Sequence, residues 1–171
     1  ILAVGVSDYT NTGIDLKYPS KDAINMEQTL SLGAKRLFGT SKTTSWLLTT
    51  ESNQSSLQPT RKNIISIFDS IARRAKSTDV LVVYLSGHGI NWGGANGDFY
   101  YLTKEAYSAS VEAYNDPAIR KTATISGAEL VELIKKIPAL KQVLMIDACA
   151  SGKAIDNMMA KRVISSGTLK A

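Results

Sequence analysis

One thiol and one imidazole are the side chains of this sequence that could act together as a nucleophile and a base. Cys149 is the only cysteine and His88 the only histidine. Glycines flank His88 on both sides, and Ser151-Gly152 follows the cysteine closely. Glycines there allow a substrate to approach the backbone and leave N–H groups free to bind an oxyanion. A lone cysteine is more often a small buried residue, but this context favours acyl transfer through a thiolate.

Three further polar side chains are expected beside this pair. Ser86 stands two positions before His88, and Asp147 stands two positions before Cys149. The two-residue period of a strand puts each of these pairs on one side of the sheet. Asp147 lies in an apolar strand, where burial of a carboxylate without a partner is costly. Asp22 opens the helix after the first strand, where it could also act only as a first-turn acid that favours the helix dipole.

Alternating strands and helices must position these residues. The expected strands, marked by short apolar and β-branched runs, are residues 1–7, 45–49, 80–86 and 142–148. The expected helices are marked by caps and by apolar residues at helical spacing. The first covers residues 21–35, with Ser20 as its N-cap. The second follows Thr60, and the third follows the capping box of Ser126 and Glu129.

A hairpin is expected after the third strand, where Asn96-Gly97 separates residues 90–92 from residues 99–102. Residues 103–123 are expected to be a long polar connection. This order of elements is typical of an open α/β sheet with right-handed crossovers. Ligands of such sheets bind beyond the carboxyl ends of the strands, which is where His88 and Cys149 fall.

Composition excludes several classes of protein. The chain has 171 residues, of which 44% are hydrophobic and 20% charged, as expected for one globular domain. Its net charge of +5 is spread evenly, so a nucleic acid partner is not expected. The longest apolar run, 80–85, is far shorter than the roughly 20 residues that span a bilayer, so a membrane partner is not expected either.

The cysteine and histidine counts, together with the first residue, give three further expectations. One cysteine cannot form an internal disulfide, which points to a reducing, cytoplasmic location. One cysteine and one histidine also argue against a zinc site. The chain opens on the apolar residue Ile1 and not on methionine, so we interpret it as a piece of a longer protein.

The two motifs around His88 and Cys149 resemble the large-subunit half of caspase-like cysteine peptidases. They read Ser-Gly-His-Gly at 86–89 and Asp-Ala-Cys-Ala-Ser-Gly at 147–152. The histidine precedes the cysteine, and the interval of 61 residues is similar to the roughly 50 of caspases. The Asp-Ala-Cys motif is similar to that of metacaspases and of prokaryotic caspase homologues, called orthocaspases, since animal caspases have Gln-Ala-Cys-Arg-Gly.

The resemblance covers nearly the whole chain and implies a fold and a domain organisation. The implied fold is a three-layer α/β structure with a mostly parallel open sheet flanked by helices and a small hairpin after the third strand. Residues 1–171 would then be the large-subunit portion of one peptidase domain. The implied partners are a protein or peptide substrate and a small-subunit segment that is absent from these residues.

The resemblance also implies a role for each candidate residue. Cys149 would be the nucleophile and His88 the general acid and base, without a third member, because the family generally uses a dyad. The backbone N–H groups of Gly89 and Cys149 would form the oxyanion hole. The primary (S1) pocket of metacaspase-like enzymes is acidic, and its residues align with Asp22, Ser86 and Asp147. Two carboxylates in one pocket select Arg or Lys.

Two alternatives remain open at this stage. A caspase-like preference for aspartate would need a basic residue before Asp22, and Lys17 is the only candidate there. A catalytically silent scaffold of the same fold would be signalled by loss of the cysteine or histidine, and both are present. The sequence lacks a Gly-rich phosphate loop and a Gly-x-Ser-x-Gly elbow, which disfavours a nucleotide-binding domain and a serine hydrolase.

No cofactor and no obligatory metal are expected, because residues 94–98 offer too few carboxylates for a calcium loop. The segment after Cys149 joins the two subunits in the family. Exposed connections of this kind are cut readily, so Lys161, Arg162 and Lys170 are candidate self-cleavage sites. The alternative is that Lys161 and Arg162 are solvated helix residues.

Overall fold

A parallel sheet forms the centre of the protein. The computed structural model describes residues 1–93 and 97–148. Within those residues the strands, in chain order, are β1 (Leu2–Gly5), β2 (Trp46–Thr49), β3 (Val80–Gly87), β4 (Gly89–Trp92), β5 (Asp98–Leu102), β6 (Thr124–Ser126) and β7 (Lys141–Ala148). The α-helices are α1 (Pro19–Phe38), α2 (Arg61–Arg74), α3 (Pro117–Ala123) and α4 (Gly127–Lys135). Single turns of 3-10 helix lie at Thr12–Ile14, Thr40–Lys42, Ser55–Leu57 and Val111–Tyr114.

The strands form two sheets of different character. The larger sheet has the order β2-β1-β3-β7, and every neighbouring pair in it is parallel. The smaller sheet, β4-β5-β6, is antiparallel. Parallel strands end at a common edge, so the ends of β1, β3 and β7 lie together. The predicted α/β fold with a mostly parallel sheet and a hairpin after the third strand is confirmed.

Helices cover the two faces of the larger sheet unequally. On one face α2 and α4 pack against alternate residues of the strands, and the buried members of this core include Leu2, Val4, Phe68, Val83, Leu85, Leu130 and Leu133. On the other face α1 contributes Ala23, which packs with Ala3 and Tyr84. No helix among residues 1–93 and 97–148 is long and apolar enough to cross a membrane.

The start of α1 is packed unusually closely against the end of β1. Ser20 is not the N-cap that the sequence predicts. The helix begins at Pro19, whose fixed φ suits the first helical position, and the cap residue Tyr18 makes no side-chain cap bond. The Ser20 N–H instead donates to Ser7 Oγ at 3.0 Å, and Ser20 Oγ lies 2.9 Å from Thr50 Oγ1. The first turn of α1 is therefore tied to the ends of β1 and β2.

Two other helix starts follow the predicted caps. Thr60 caps α2 by accepting from the Asn63 N–H at 3.2 Å, and Ser126 caps α4 by accepting from the Glu129 N–H at 3.0 Å. The capping box is only half formed, because the Glu129 carboxylate forms an ion pair with Arg61. This ion pair joins the N-terminal turns of α2 and α4.

The region 103–123, expected to be a long polar connection, contains short helical elements. It contains the 3-10 turn at its centre and then α3, whose start is capped by Asp116, which accepts from the Ala118 N–H at 2.8 Å. The three residues of β6 then add a third strand to the hairpin. A strand of three residues is too short to show a two-residue period, so its pairing is visible only in the fold.

Gly5 should be intolerant of any side chain, because a Cβ there would lie 2.3 Å from the Pro19 carbonyl oxygen and 2.8 Å from Ala23 Cβ. We expect Gly5→Ala to lower the free energy of unfolding in urea by about 1–3 kcal/mol through overpacking. The matched control is Gly33→Ala within α1, where a Cβ would meet nothing within 4 Å. That change should raise the free energy of unfolding by up to about 1 kcal/mol through helix propensity. Equal effects of the two variants would contradict this packing.

Candidate active site

His88 lies at the junction between the two sheets. β3 ends at Gly87 and β4 begins at Gly89, so His88 is the single residue between them. Gly87 has a φ of +148°, which a residue with a side chain rarely adopts. The His88 carbonyl accepts from the Leu102 N–H of β5 at 3.0 Å. The main chain therefore leaves the parallel sheet and joins the small sheet at this residue.

A backbone carbonyl fixes the orientation of the imidazole. His88 Nε2 lies 2.8 Å from the carbonyl oxygen of Ile14. Because a carbonyl oxygen can only accept, Nε2 carries the proton of the neutral ring and Nδ1 is the basic nitrogen. The loop that contains Ile14 is held close to the end of β1, because the Leu16 N–H donates to the backbone carbonyl oxygen of Ser7 at 2.8 Å.

Two buried phenols hold the peptide groups on either side of Gly87. Tyr9 Oη accepts from the His88 N–H at 2.8 Å, and the Tyr101 hydroxyl donates to the Ser86 carbonyl at 2.8 Å. The ring centroid of Tyr9 also lies 5.2 Å from that of His88. Burial raises the pKa of Tyr101 well above its usual value, so its hydroxyl stays a donor.

The N–H of Gly89 is outside the β4–β5 hydrogen-bond ladder. Gly89 pairs with Tyr101, and the neighbouring ladder bond runs from the Leu102 N–H to the His88 carbonyl. In an antiparallel ladder this makes Gly89 and Tyr101 a non-hydrogen-bonded pair, so the Gly89 N–H points away from β5. A backbone donor next to the imidazole is thereby available to a ligand.

An acidic cluster forms beside Ser86. In the parallel register Ser86 lies between Gly5 of β1 and Asp147 of β7. The Tyr84 hydroxyl donates to Asp147 Oδ2 at 3.0 Å. Burial is the largest cause that raises the pKa of Tyr84 to about 12. The nearby Ser86 side chain opposes this rise in the pKa, and the charges of Asp147 and Asp22 add to it. Asp22 directly precedes Ala23, which packs with the Tyr84 ring, so Asp22 and Asp147 both lie on the side of the sheet that carries this phenol.

The cluster has no cation to balance its two carboxylates among the described residues. The ion pairs there join Arg61 to Glu129 and Lys135 to Glu132, and neither pair includes Asp22 or Asp147. Lys17 is exposed, and its Nζ lies 5.6 Å from the centroid of the Tyr18 ring. The acidic cluster is therefore suited to a cationic ligand.

The structure brings Asp22, Ser86 and Asp147 together and places His88 and Gly89 at the same edge of the sheet. One expectation is corrected: Asp147 is exposed rather than buried in an apolar strand, because β7 is the outermost strand of the described sheet. The remaining candidates, Cys149, Lys161, Arg162 and Lys170, lie outside the described residues.

Sequence reasoning missed four contributors to this site, one of which, Tyr101, lies in the expected hairpin without any signal that it binds the Ser86 carbonyl. Tyr84 shares the alternation of Ser86 along β3, so a two-residue count could have included it. Tyr9 follows β1 in a turn and carries no such signal. The Ile14 carbonyl is a backbone group, and nothing in the identity of its side chain indicates that it binds a histidine.

The comparisons with known proteins agree with this arrangement of strands and side chains. Residues 1–168 match the caspase domain of the peptidase C14 family. The chain belongs to this family. The caspase domain therefore accounts for the Ser-Gly-His-Gly and Asp-Ala-Cys motifs, and the resemblance seen in the sequence is confirmed.

Three metacaspases are similar to this caspase domain along much of its length. It is 28% identical over 162 residues to metacaspase-1 of Meyerozyma guilliermondii, covering 91% of this chain and 35% of that protein. It is 27% identical over 157 residues to metacaspase-1 of Plasmodium falciparum, covering 91% and 24%. It is 31% identical over 122 residues to metacaspase-4 of Arabidopsis thaliana, covering 70% and 26%. The caspase domain thus spans about a quarter to a third of these relatives.

A solved structure shares the fold. The crystal structure of a protein from Geobacter sulfurreducens superimposes with a TM-score of 0.58 at 19% identity, covering 86% of this caspase domain and 49% of that chain. The metacaspases above come from eukaryotes, so the predicted similarity to prokaryotic caspase homologues stays a prediction.

Gly87 and Tyr9 should be energetically coupled, because a Cβ at position 87 would lie 2.9 Å from Tyr9 Oη. We expect Gly87→Ala to lower the free energy of unfolding by about 2–4 kcal/mol through backbone strain and crowding. Tyr9→Phe should lower it by about 1–2 kcal/mol, because the His88 N–H loses its acceptor. In the double variant the crowding oxygen is gone, so the losses should sum to less than the two single values. Strict additivity in urea unfolding would contradict the contact.

Proposed function

We propose that this caspase domain is the large-subunit portion of a cysteine endopeptidase that hydrolyses peptide bonds after Arg or Lys. The observation that supports the specificity is the placement of two carboxylates around Tyr84: its hydroxyl donates to Asp147, and Asp22 precedes Ala23, which packs with its ring. Neither carboxylate forms an ion pair among the described residues. A guanidinium or ammonium group of the substrate would balance this charge through charge-assisted hydrogen bonds.

The alternatives are less well supported. A substrate aspartate would bring a third carboxylate to the cluster, and like charges there are unfavourable. Lys17, the basic residue that such a preference would need, is exposed beside Tyr18. A silent scaffold does not explain why the imidazole is held through Nε2, an arrangement that makes Nδ1 the basic nitrogen.

In the proposed reaction His88 Nδ1 removes the proton from Cys149 Sγ. The sulfur then attacks the carbonyl carbon of the scissile peptide, and the carbonyl π electrons move to oxygen. The oxyanion would be bound by the backbone N–H groups of Gly89 and Cys149. Because Nε2 donates to the Ile14 carbonyl, the imidazolium that forms keeps its orientation.

Collapse of this intermediate breaks the C–N bond. His88 gives its Nδ1 proton to the leaving amine, and the acyl group remains on sulfur as a thioester. Water then attacks the thioester carbon while His88 accepts one water proton. The C–S bond breaks, the acid product leaves, and the proton returns to sulfur. The thiol and the imidazole supply the nucleophile and the acid–base steps, so we propose that no metal is required.

The same proposal covers the partner of this caspase domain. The chain spans about a quarter to a third of its metacaspase relatives, and we propose that a small-subunit segment completes the substrate cleft. Strand β7 is the outermost strand of the described sheet, and Val143 within it is 47% exposed. A segment that covers β7 would also enclose the acidic cluster beside Asp147.

The specificity can be tested with reporter peptides that differ only in the residue before the scissile bond. The full-length protein should cleave after Arg and Lys and not after Asp. Asp22→Asn should lower kcat/KM for the Arg peptide about 30-fold or more, because the substrate cation loses a charged partner. The matched control is Glu132→Gln, an acid-to-amide change at an exposed residue of α4, on the opposite face of the sheet. It should leave kcat/KM unchanged, and Cys149→Ala should be inactive.

Two results would contradict this proposal. Cleavage after Asp alone would overturn the basic specificity and bring Lys17 forward as the substrate ligand. Full activity of Cys149→Ala would remove this residue from the mechanism.

Self-cleavage is a second outcome that we propose. The active protein would meet its own basic residues Lys161, Arg162 and Lys170 at high effective concentration. Mass spectrometry of freshly purified full-length protein should show new termini after one or more of these residues, and the Cys149→Ala form should stay intact. An intact and active enzyme would show that cleavage at these sites is not part of the mechanism.

A further inference from the structure

Tyr84 combines a buried ring with a hydroxyl at the acidic cluster. Its residue is 5% exposed, and its ring packs with Ala3 and Ala23, with Met26, Leu47 and Met145 around them. It lies on β3 between two paired neighbours, Ala3 on β1 and Met145 on β7. A phenol held in this way has little freedom to change its position.

The one hydrogen of this hydroxyl is directed at Asp147. The donor–acceptor distance to Asp147 Oδ2 is 3.0 Å. Ser86, two residues further along β3, is 2% exposed and is held in the sheet between β1 and β7. The strand that carries the phenol is therefore fixed on both sides where the hydroxyl meets the carboxylate.

Asp147 needs such a partner because its own surroundings do not restrain it. It is exposed on the outermost strand of the described sheet, and it has no ion-pair partner among the described residues. A carboxylate in this position could rotate about its terminal torsion, which is broad in energy. The hydrogen bond from a rigid phenol selects one plane for the two oxygens.

We propose that Tyr84 is a specificity-determining positioning residue, which holds the plane of the Asp147 carboxylate so that the primary pocket distinguishes a guanidinium from an ammonium. This inference rests on the basic specificity proposed above. A planar guanidinium forms two parallel hydrogen bonds only with a carboxylate of matching orientation, whereas an ammonium is a compact point charge. Each carboxylate oxygen can accept two hydrogen bonds, so Oδ2 can serve both Tyr84 and the substrate.

The hydroxyl performs this role over the whole neutral range. The pKa of Tyr84 is raised to about 12, so the group stays protonated and remains a donor wherever the protein is folded and assayed. Its effect on Asp147 is therefore one of orientation, with no change of charge near neutral pH.

The test compares Tyr84→Phe with the parent full-length protein on two reporter peptides that differ only in Arg or Lys before the scissile bond. We expect kcat/KM for the Arg peptide to fall about 10-fold, which corresponds to loss of one oriented hydrogen bond, and kcat/KM for the Lys peptide to fall less than about 2-fold. The Arg to Lys ratio should therefore fall at least about 5-fold. An equal fall for both peptides, or no change, would overturn the proposal.

The matched control is Tyr114→Phe. Tyr114 is also a buried tyrosine, at 0% exposure, and its hydroxyl donates to the Ser108 carbonyl at 2.5 Å, away from the acidic cluster. This variant removes the same kind of hydrogen bond and should leave the Arg to Lys ratio unchanged. A fall of the ratio in this control would assign the effect to general loosening of the fold, against the proposal.

A binding measurement separates this inference from the proposed peptidase activity. Calorimetric titration of the Cys149→Ala protein with Arg-ending and Lys-ending peptides should show tighter binding of the Arg peptide, and adding Tyr84→Phe should remove the difference. If that result is obtained while the parent protein cleaves neither peptide, only the peptidase proposal fails. If neither peptide binds, the basic specificity fails and the role of Tyr84 is overturned with it.

Discussion

The peptide groups on either side of Gly87 are each bonded to a buried phenol, and the rest of the site depends on these two hydrogen bonds. The Ser86 carbonyl accepts from Tyr101, and the His88 N–H donates to Tyr9. Between them the chain turns from the parallel sheet into the antiparallel one at a φ of +148°. A side chain at position 87 would displace a phenol oxygen, so the glycine, the two tyrosines and the orientation of His88 form one interdependent unit. Such strain persists only where its surroundings fix it.

The acidic cluster depends on a second close approach. Gly5 lets the first turn of α1 come so near to β1 that Ala23, next to Asp22, packs with Tyr84, whose hydroxyl bonds to Asp147. No lysine or arginine of the described residues forms an ion pair with either aspartate. The unpaired carboxylates are understandable if a ligand brings the missing positive charge, which is the physical basis of the proposed specificity.

The sequence contains most of the fold and about half of the site. Periodicity and caps predicted the four parallel strands and the starts of α2 and α4, because Thr60 and Ser126 act on backbone groups within their own turns. It misplaced the cap of α1, because Ser20 has partners in β1 and β2 that no local pattern reveals. The prediction that β3 and β7 end at one edge agrees with the register that pairs Ser86 with Asp147. It could not show Tyr9 or the Ile14 carbonyl, since these reach His88 from a loop whose path depends on tertiary contacts.

His88 and Asp147 are held in different ways. His88 follows β3, an inner strand with β1 on one side and β7 on the other, and its ring, N–H and carbonyl all bond to groups of the described residues. Asp147 ends the outermost strand of the described sheet, and Tyr84 alone bonds to its carboxylate there. The imidazole is therefore preorganised by this part of the chain, whereas the orientation of the carboxylate depends on one phenol. Any segment that packs on β7 would act first on Asp147 and only indirectly on His88. A change of one residue would thus disturb the Asp147 carboxylate more easily than the imidazole, because within the described residues a single hydroxyl bonds to the carboxylate and three groups bond to His88.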